Sequence, residues 1–473
     1  MAEAIKQTKI KRLSVDKNQN EFADTPINKL LFRFAVPSII SLLVNSLYNI
    51  VDQIFIGWGV GYYGNAATNV SFPLVTLCLA LGLWIGNGTA AVFSLKLGAG
   101  QKEEAAVTVG NNTMLSIITG IGVLIVGAVF LEPLLRLFGA NEQVMPYAKT
   151  YAGICLLGMP FVVASLSIEN VIRADGSPRF AMVATLSGAV INTILDPIFI
   201  FVFDWGVAGA AYATVIGQAV ACLLFLSYLP KFKLIKYSVK HWRLRRSVCH
   251  NIYSMGAASF LTQSSFLLLQ IVMNNTLGRY GALSPYGEVI PLACMGIVMK
   301  VNQIMIAFVI GISIGVQPII GYNYGAGAYG RVREAYRLAV IASSGISIIG
   351  FLMFQLFPVA IINIFGQENQ YYVDFAVKCF RIYLMLIFTV GFQIISANFF
   401  QSVGKPLKAA ALTLSRQVLF LIPLIYLFSG LFGLEGILYA GPAADLMAAV
   451  VTALFIFKEL HRMKQDEGYL KTV

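Results

Sequence analysis

Two aspartates stand inside otherwise apolar runs, each with polar neighbours at helical spacing. In residues 42–57, LLVNSLYNIVDQIFIG, the side chains of Asn45, Tyr48, Asn49 and Asp52 recur at i, i+3, i+4 and i+7 and share one helix face. In INTILDPIFIF, Asn192 and Asp196 share a face at i and i+4, and Pro197 leaves the carbonyl of Thr193 without its helical partner. Thr214 follows the small-residue run GVAGAA. Carboxylates, an amide oxygen, a hydroxyl and a freed carbonyl are hard-oxygen ligands of the kind that hold a small cation. The same two acids, close together and away from water, could instead carry protons. Taken singly, each aspartate could also be read as a hydrogen bond to a neighbouring helix.

The solvent around these residues is set by composition. Mean hydropathy is +0.76, and 58% of residues are hydrophobic against 12% charged, where a soluble domain carries roughly 25% charged residues. A carboxylate in hydrocarbon is costly unless it faces a bundle interior or a wet cavity, so Asp52 and Asp196 are functional candidates by default. The polar, Lys-rich start runs directly into the first apolar segment, so no cleaved signal is expected. Six cysteines without CxxC spacing and three histidines in polar stretches predict neither a disulfide framework nor a zinc site.

A spanning helix needs about 20 apolar residues. Twelve such segments are expected, at 29–57, 66–95, 107–131, 148–170, 180–203, 207–229, 253–277, 288–319, 335–358, 375–399, 408–429 and 434–458. Most of the 34 Lys and Arg then fall on one side, in the two tails, the loop 230–252 and the even-to-odd connections. The other side has Arg136, Lys149, Arg279, Lys378 and Arg381, while Lys300 and Arg416 lie within spans. The positive-inside rule places both termini in the cytoplasm. The net charge of +12 is thus topological, and no nucleic-acid partner is expected. At about 1.5 Å per residue, Asp52, Asp196 and Thr214 all fall in the outer half of the bilayer.

Landmarks repeat at one constant separation. LGAG at Gly98 returns as YGAG at Gly325, RLFG at Gly139 as NIFG at Gly366, and GVAGAAYA from Gly206 as GLEGILYA from Gly433. The expected organisation is a cytoplasmic tail 1–28, a six-helix lobe 29–229, a basic linker 230–252, a second six-helix lobe 253–458 and a tail 459–473. An even helix number gives parallel repeats, related by an axis along the membrane normal, and a central cleft between them suits a transporter. Glu169 and Arg173 predict a local ion pair, and Arg416 and Asp445 could neutralise each other at mid-depth. On span seven Gln263, Gln270 and Asn274 form a polar face, and Lys300 on span eight could line the cleft.

PSIISLLVNSLYNIVDQIFIG, IRADGSP and NTILDPIFIFVFDWGVAGAA resemble the multidrug and toxic compound extrusion (MATE) transporters, nearest the DinF-like and MepA-like bacterial branch, over nearly the whole chain. That resemblance implies an all-α, twelve-helix antiporter in the bacterial cell membrane, with no cofactor and no enzymatic activity. Its partners would be the lipid bilayer and small amphipathic or cationic substrates, and the expected state is a monomer. Na⁺ or H⁺ would be the coupling ion, held by Asp52, Asn192, Asp196 and Thr214. Tyr48 and Asn45 would lie on the cavity side, with Gln270, Asn274 and Lys300 as further substrate candidates and Pro37 as the hinge of span one. A flippase for lipid-linked oligosaccharide or peptidoglycan precursors is the alternative. Its anionic substrates call for a cavity rich in Arg and Lys, where this chain has only Lys300 and Arg416 at mid-span.

The charge distribution gives a direct expectation. Alkaline phosphatase fused after Ala140 should be active, and a fluorescent protein fused at the C-terminus should fluoresce; the inverse pattern would overturn the orientation.

Overall fold

The structure is a computed structural model that describes residues 20–140, 142–287, 289–365 and 370–472. The tail 1–19 and the repeat landmark Gly366 lie outside the described residues. Among the described residues there are helices and no strands, as expected where every backbone group must be paired without water. The spanning helices are α1 (Ile27–Gly59), α2 (Tyr62–Gly98), α3 (Lys102–Val129), α4 (Met145–Ala174), α5 (Pro178–Pro197) and α6 (Gly206–Tyr228) in the first lobe. The second lobe has α7 (Arg246–Ala282), α8 (Val289–Gly325), α9 (Tyr329–Leu356), α10 (Gln370–Tyr383 with Ile387–Ser402), α11 (Pro406–Phe432) and α12 (Leu434–Thr472).

Among the described residues eleven helices pass as spans on length and hydropathy, and α10, counted as one span of two pieces bent by 41°, makes the twelfth. Its first piece ends in a π-helical segment, Cys379–Tyr383. Two short helices on the connections, Leu131–Leu137 and Pro358–Phe365, occupy matching places in the two lobes, so the repeat extends to elements that hydropathy does not reveal.

The lobes meet through close backbone approaches, with side-chain hydrogen bonds across the seam from Trp84 to the Tyr253 carbonyl (2.7 Å), Asn87 to Ser259 (2.9 Å) and Gln317 to the Asn87 carbonyl (3.2 Å). A Cβ on Gly315 would fall 2.7 Å from Ala35 backbone atoms, and one on Gly311 2.8 Å from those of Ile39, pressing α8 on α1. A Cβ on Gly88 or Gly256 would collide with carbonyls of Ile252 and Trp84, which holds α2 on α7. Gly98 and Gly325, the repeat landmarks, stand reciprocally against carbonyls of Tyr322 and Leu95. In lipid there is little hydrophobic drive between helices, so such small-residue packing supplies the attraction. All these approaches lie in the halves of the spans next to the basic connections. Among the described glycines, none makes an inter-lobe approach at the opposite ends.

The basic linker is tied to the first lobe by buried acceptors. Asp175, fully buried after α4, accepts hydrogen bonds from the backbone N–H groups of Lys233 (2.8 Å) and Leu234 (3.0 Å) and from the Tyr228 hydroxyl (2.8 Å). Asn111 on α3 accepts from Arg245 N–H (2.8 Å) and donates to the Arg243 carbonyl (3.3 Å). Burial pushes the Asp175 carboxyl up from 3.8 to about 6, against the downward pull of its three donors. The folded protein therefore holds a proton that the unfolded chain has already lost. This contribution to stability falls as pH rises from about 4 to about 6 and is level above that.

Asp175→Asn should remove this slope. It also turns an acceptor into a donor facing an N–H, which costs about 1–3 kcal/mol. The expected results are a lower thermal midpoint and faster proteolysis of the linker in detergent. An unchanged midpoint and unchanged cleavage would show that the linker is held by other contacts.

Candidate cation-coupling site

Helix geometry brings the two intramembrane aspartates together. Gly188 and Gly217 pack reciprocally, each with its would-be Cβ 2.8 and 2.7 Å from the other's carbonyl oxygen, so α5 and α6 run almost in backbone contact. One turn further on, Asn192 Nδ2 reaches both Asp196 Oδ1 and Thr214 Oγ1 at 3.3 Å. Directly after Pro197 the helix widens into a π-helical segment, Ile198–Val202, a distortion that recurs at functional sites. Ile200 of that segment fills the space that a side chain at Gly59 would occupy, and this seats the outer end of α1 against α5.

Asp52 thereby comes within hydrogen-bonding reach of Asp196. The exposures are 7% for Asp52, 2% for Asn192 and 0% for Asp196. Two unit charges 4 Å apart repel by about 4 kcal/mol even at an effective dielectric near 20, so both carboxylates cannot stay ionised there without a proton or a cation between them. The remaining lone pairs point the same way. Asp52 Oδ1, Asp196 Oδ2 and Asn192 Oδ1 are buried oxygens without a hydrogen-bond partner. Three orphaned acceptors around a carboxylate pair fit a monovalent cation or a shared proton. Among the described residues no group of three or more His, Cys, Asp or Glu side chains gathers as a multivalent site would require.

The other expected residues divide by position. Tyr48 stands beside Asp52 and Asp196, one turn back on α1. Asn45 is half-buried, and its carbonyl accepts a hydrogen bond from Asn49 Nδ2 at 2.6 Å. Pro37 is buried within a continuous α1, with Ser38 and Ser41 hydroxyls donating to the carbonyls of Phe34 and Pro37. Gln270, Asn274 and Lys300 are exposed on α7 and α8, and no hydrogen bond among the described residues ties them to the aspartates. Sequence reasoning missed Tyr151 and Cys155 on α4, which stand near each other and close to Asp52 and Tyr48. Their i, i+4 spacing carries no signal inside an apolar span.

The two ion pairs both form. Glu169 and Arg173 are buried together, with the Thr185 hydroxyl donating to Glu169 at 3.0 Å. Arg416 Nε donates to Asp445 Oδ1 at 2.7 Å.

A family model described as MatE matches residues 37–198 and 258–427, which contain most of both lobes and both aspartates. The chain belongs to the MatE family. It is a transporter and not an enzyme. Over 458 residues it is 25% identical to the multidrug export protein MepA of Staphylococcus aureus strain MRSA252, covering 96% of this chain and 99% of that one. The MepA protein of Staphylococcus haemolyticus is 24% identical over 450 residues, 95% and 97% of the two chains. Among solved structures, a multidrug resistance MATE family transporter in an outward-facing conformation superposes with a TM-score of 0.87 at 24% identity, covering 96% of this chain and 100% of that one. A MATE in complex with MaL6 superposes with a TM-score of 0.88 at 23% identity, covering 95% and 100%. These likenesses give the fold of this MatE chain as that of the MATE transporters.

Proposed function

We propose that this MatE transporter is a cation-coupled antiporter that exports organic cations and other amphipathic compounds across the bacterial cytoplasmic membrane. The observation that carries the coupling is the Asp52–Asp196 contact with its three orphaned buried oxygens. The export direction and substrate class rest on the MepA relatives, which are multidrug export proteins matched along almost their full length.

With the basic connections in the cytoplasm, the glycine contacts between lobes close the cytoplasmic side, and the site opens outward. Na⁺ or H⁺ entering from outside occupies Asp52, Asp196, Asn192 and Thr214, while Tyr48 and Asn45 border the cavity. Coupling requires that the ion and the substrate favour different states, since a ligand shifts an equilibrium only by its differential affinity. The lobes then exchange access by rocking, with α1 flexing at Pro37. The ion leaves inside, and the emptied acids reset the cycle. Gln270, Asn274 and Lys300 would line the second lobe's side of the substrate path.

Everted vesicles carrying Na⁺ or acid in the lumen test this through accumulation of a fluorescent organic cation. Asp52→Asn and Asp196→Asn should each lower gradient-driven accumulation at least ~10-fold, with membrane expression unchanged. Asn192→Ala and Thr214→Ala should weaken apparent ion affinity ~5-fold each, the loss of about 1 kcal/mol per ligand. Stimulation by Na⁺ alone identifies the metal and stimulation by acid alone the proton. Wild-type accumulation in either aspartate variant removes that carboxylate from the coupling role.

A further inference from the structure

The second lobe holds its own polar cluster where its helices lose regular geometry. α10 breaks between Tyr383 and Ile387, and α11 runs as a π-helical segment over Ser415–Leu421. Arg416 lies in that segment, with Asp445 opposite on α12 and the Tyr383 ring beside both. Gln393, from the second piece of α10, donates to the Asp445 carbonyl (3.1 Å) and to Thr389 Oγ1 (3.1 Å), and its Oε1 is buried with no partner. Discontinuous helices at mid-membrane are where transporters build binding sites.

The ion pair is not arranged as a brace. A structural Arg–carboxylate pair commonly uses the guanidinium fork with two parallel bonds. Here Nε alone binds Asp445, and among the described residues neither Nη nitrogen has a hydrogen-bond partner. Both Nη atoms reach accessible space, and the Arg416 side chain is 24% exposed where that of Asp445 is 6%. Two donors thus stand open near the middle of the bilayer, beyond the reach of a lipid phosphate. Two open donors on one fixed cation suit a carboxylate carried in on an amphipathic molecule.

We propose that Arg416 is the anion-binding point of a second polar site in the C-terminal lobe. It would take the carboxylate of a zwitterionic amphipathic substrate through its free Nη edge. Asp445 fixes the guanidinium through Nε, and Gln393 in turn holds the Asp445 backbone through its carbonyl. The site extends the substrate range beyond simple cations, and it rests on the drug-export reading given above.

The test uses a matched pair of dyes, rhodamine 6G, a cationic ethyl ester, and its free-acid parent, a zwitterion. Binding to purified full-length protein is followed by fluorescence anisotropy. Arg416→Gln should weaken the acid at least ~10-fold and the ester less than ~3-fold, as for loss of a charged two-point contact. Asp445→Asn leaves the guanidinium in place and removes a competing carboxylate, so it should tighten the acid several-fold. Equal effects on acid and ester, or no effect on either, would overturn the proposal and leave the pair as a brace. Should Arg416→Gln fail to fold, unchanged acid binding in Asp445→Asn overturns it alone. Failure of wild-type protein to bind the ester would instead count against drug export itself.

Discussion

A carboxylate at membrane depth must have company, and the first lobe is built to satisfy that demand twice over. Asp52 and Asp196 come from different helices, and among the described residues neither has a basic partner. Their mutual contact is tenable only with a proton or cation between them, so the fold works by withholding neutralisation. Gly188, Gly217 and Gly59 remove side chains so that α1, α5 and α6 can crowd around the pair. The π turn after Pro197 supplies the remaining adjustment.

The second lobe answers the same demand in the opposite way. Its acid at mid-depth, Asp445, has a guanidinium of its own in Arg416. The two halves share helix order, glycine landmarks and even the short helices on their connections, yet they differ in electrostatics. On the coupling proposed above, one half is left open to an exchangeable charge, and the other carries a fixed ion pair. Duplication supplies the scaffold, and the polar residues differentiate it.

Much of this was legible in the chain because lipid makes the rules strict. Spans follow from hydropathy, the repeat from glycine landmarks, and Asp52 and Asp196 stand out because their placement is expensive. Helical spacing joined Asn192 to Asp196, and depth joined Thr214 to both. The break in α10 was hidden, since CFRIYLMLIFT contains neither proline nor glycine, and apolar pattern does not record how a helix bends. Tyr151 and Cys155 were hidden for a related reason: each is ordinary in an apolar span, and only the packing of α4 against α2 and α6 brings them near the site. The monodentate form of the Arg416–Asp445 pair likewise depends on side-chain approach, which sequence separation does not encode.

The contact between the lobes has one more consequence. Along the spans it is made of glycines resting on carbonyl groups and a few uncharged hydrogen bonds, short-range forces that vanish within an ångström or two of separation. Parting such surfaces needs no ion to be stripped from a counter-ion and no buried charge to be rehydrated. The barrier to movement then behaves like that between two smooth plates rather than that of a charged lock. Its height should depend on how tightly the lipid squeezes the two halves together, and hardly at all on the salt in the surrounding water.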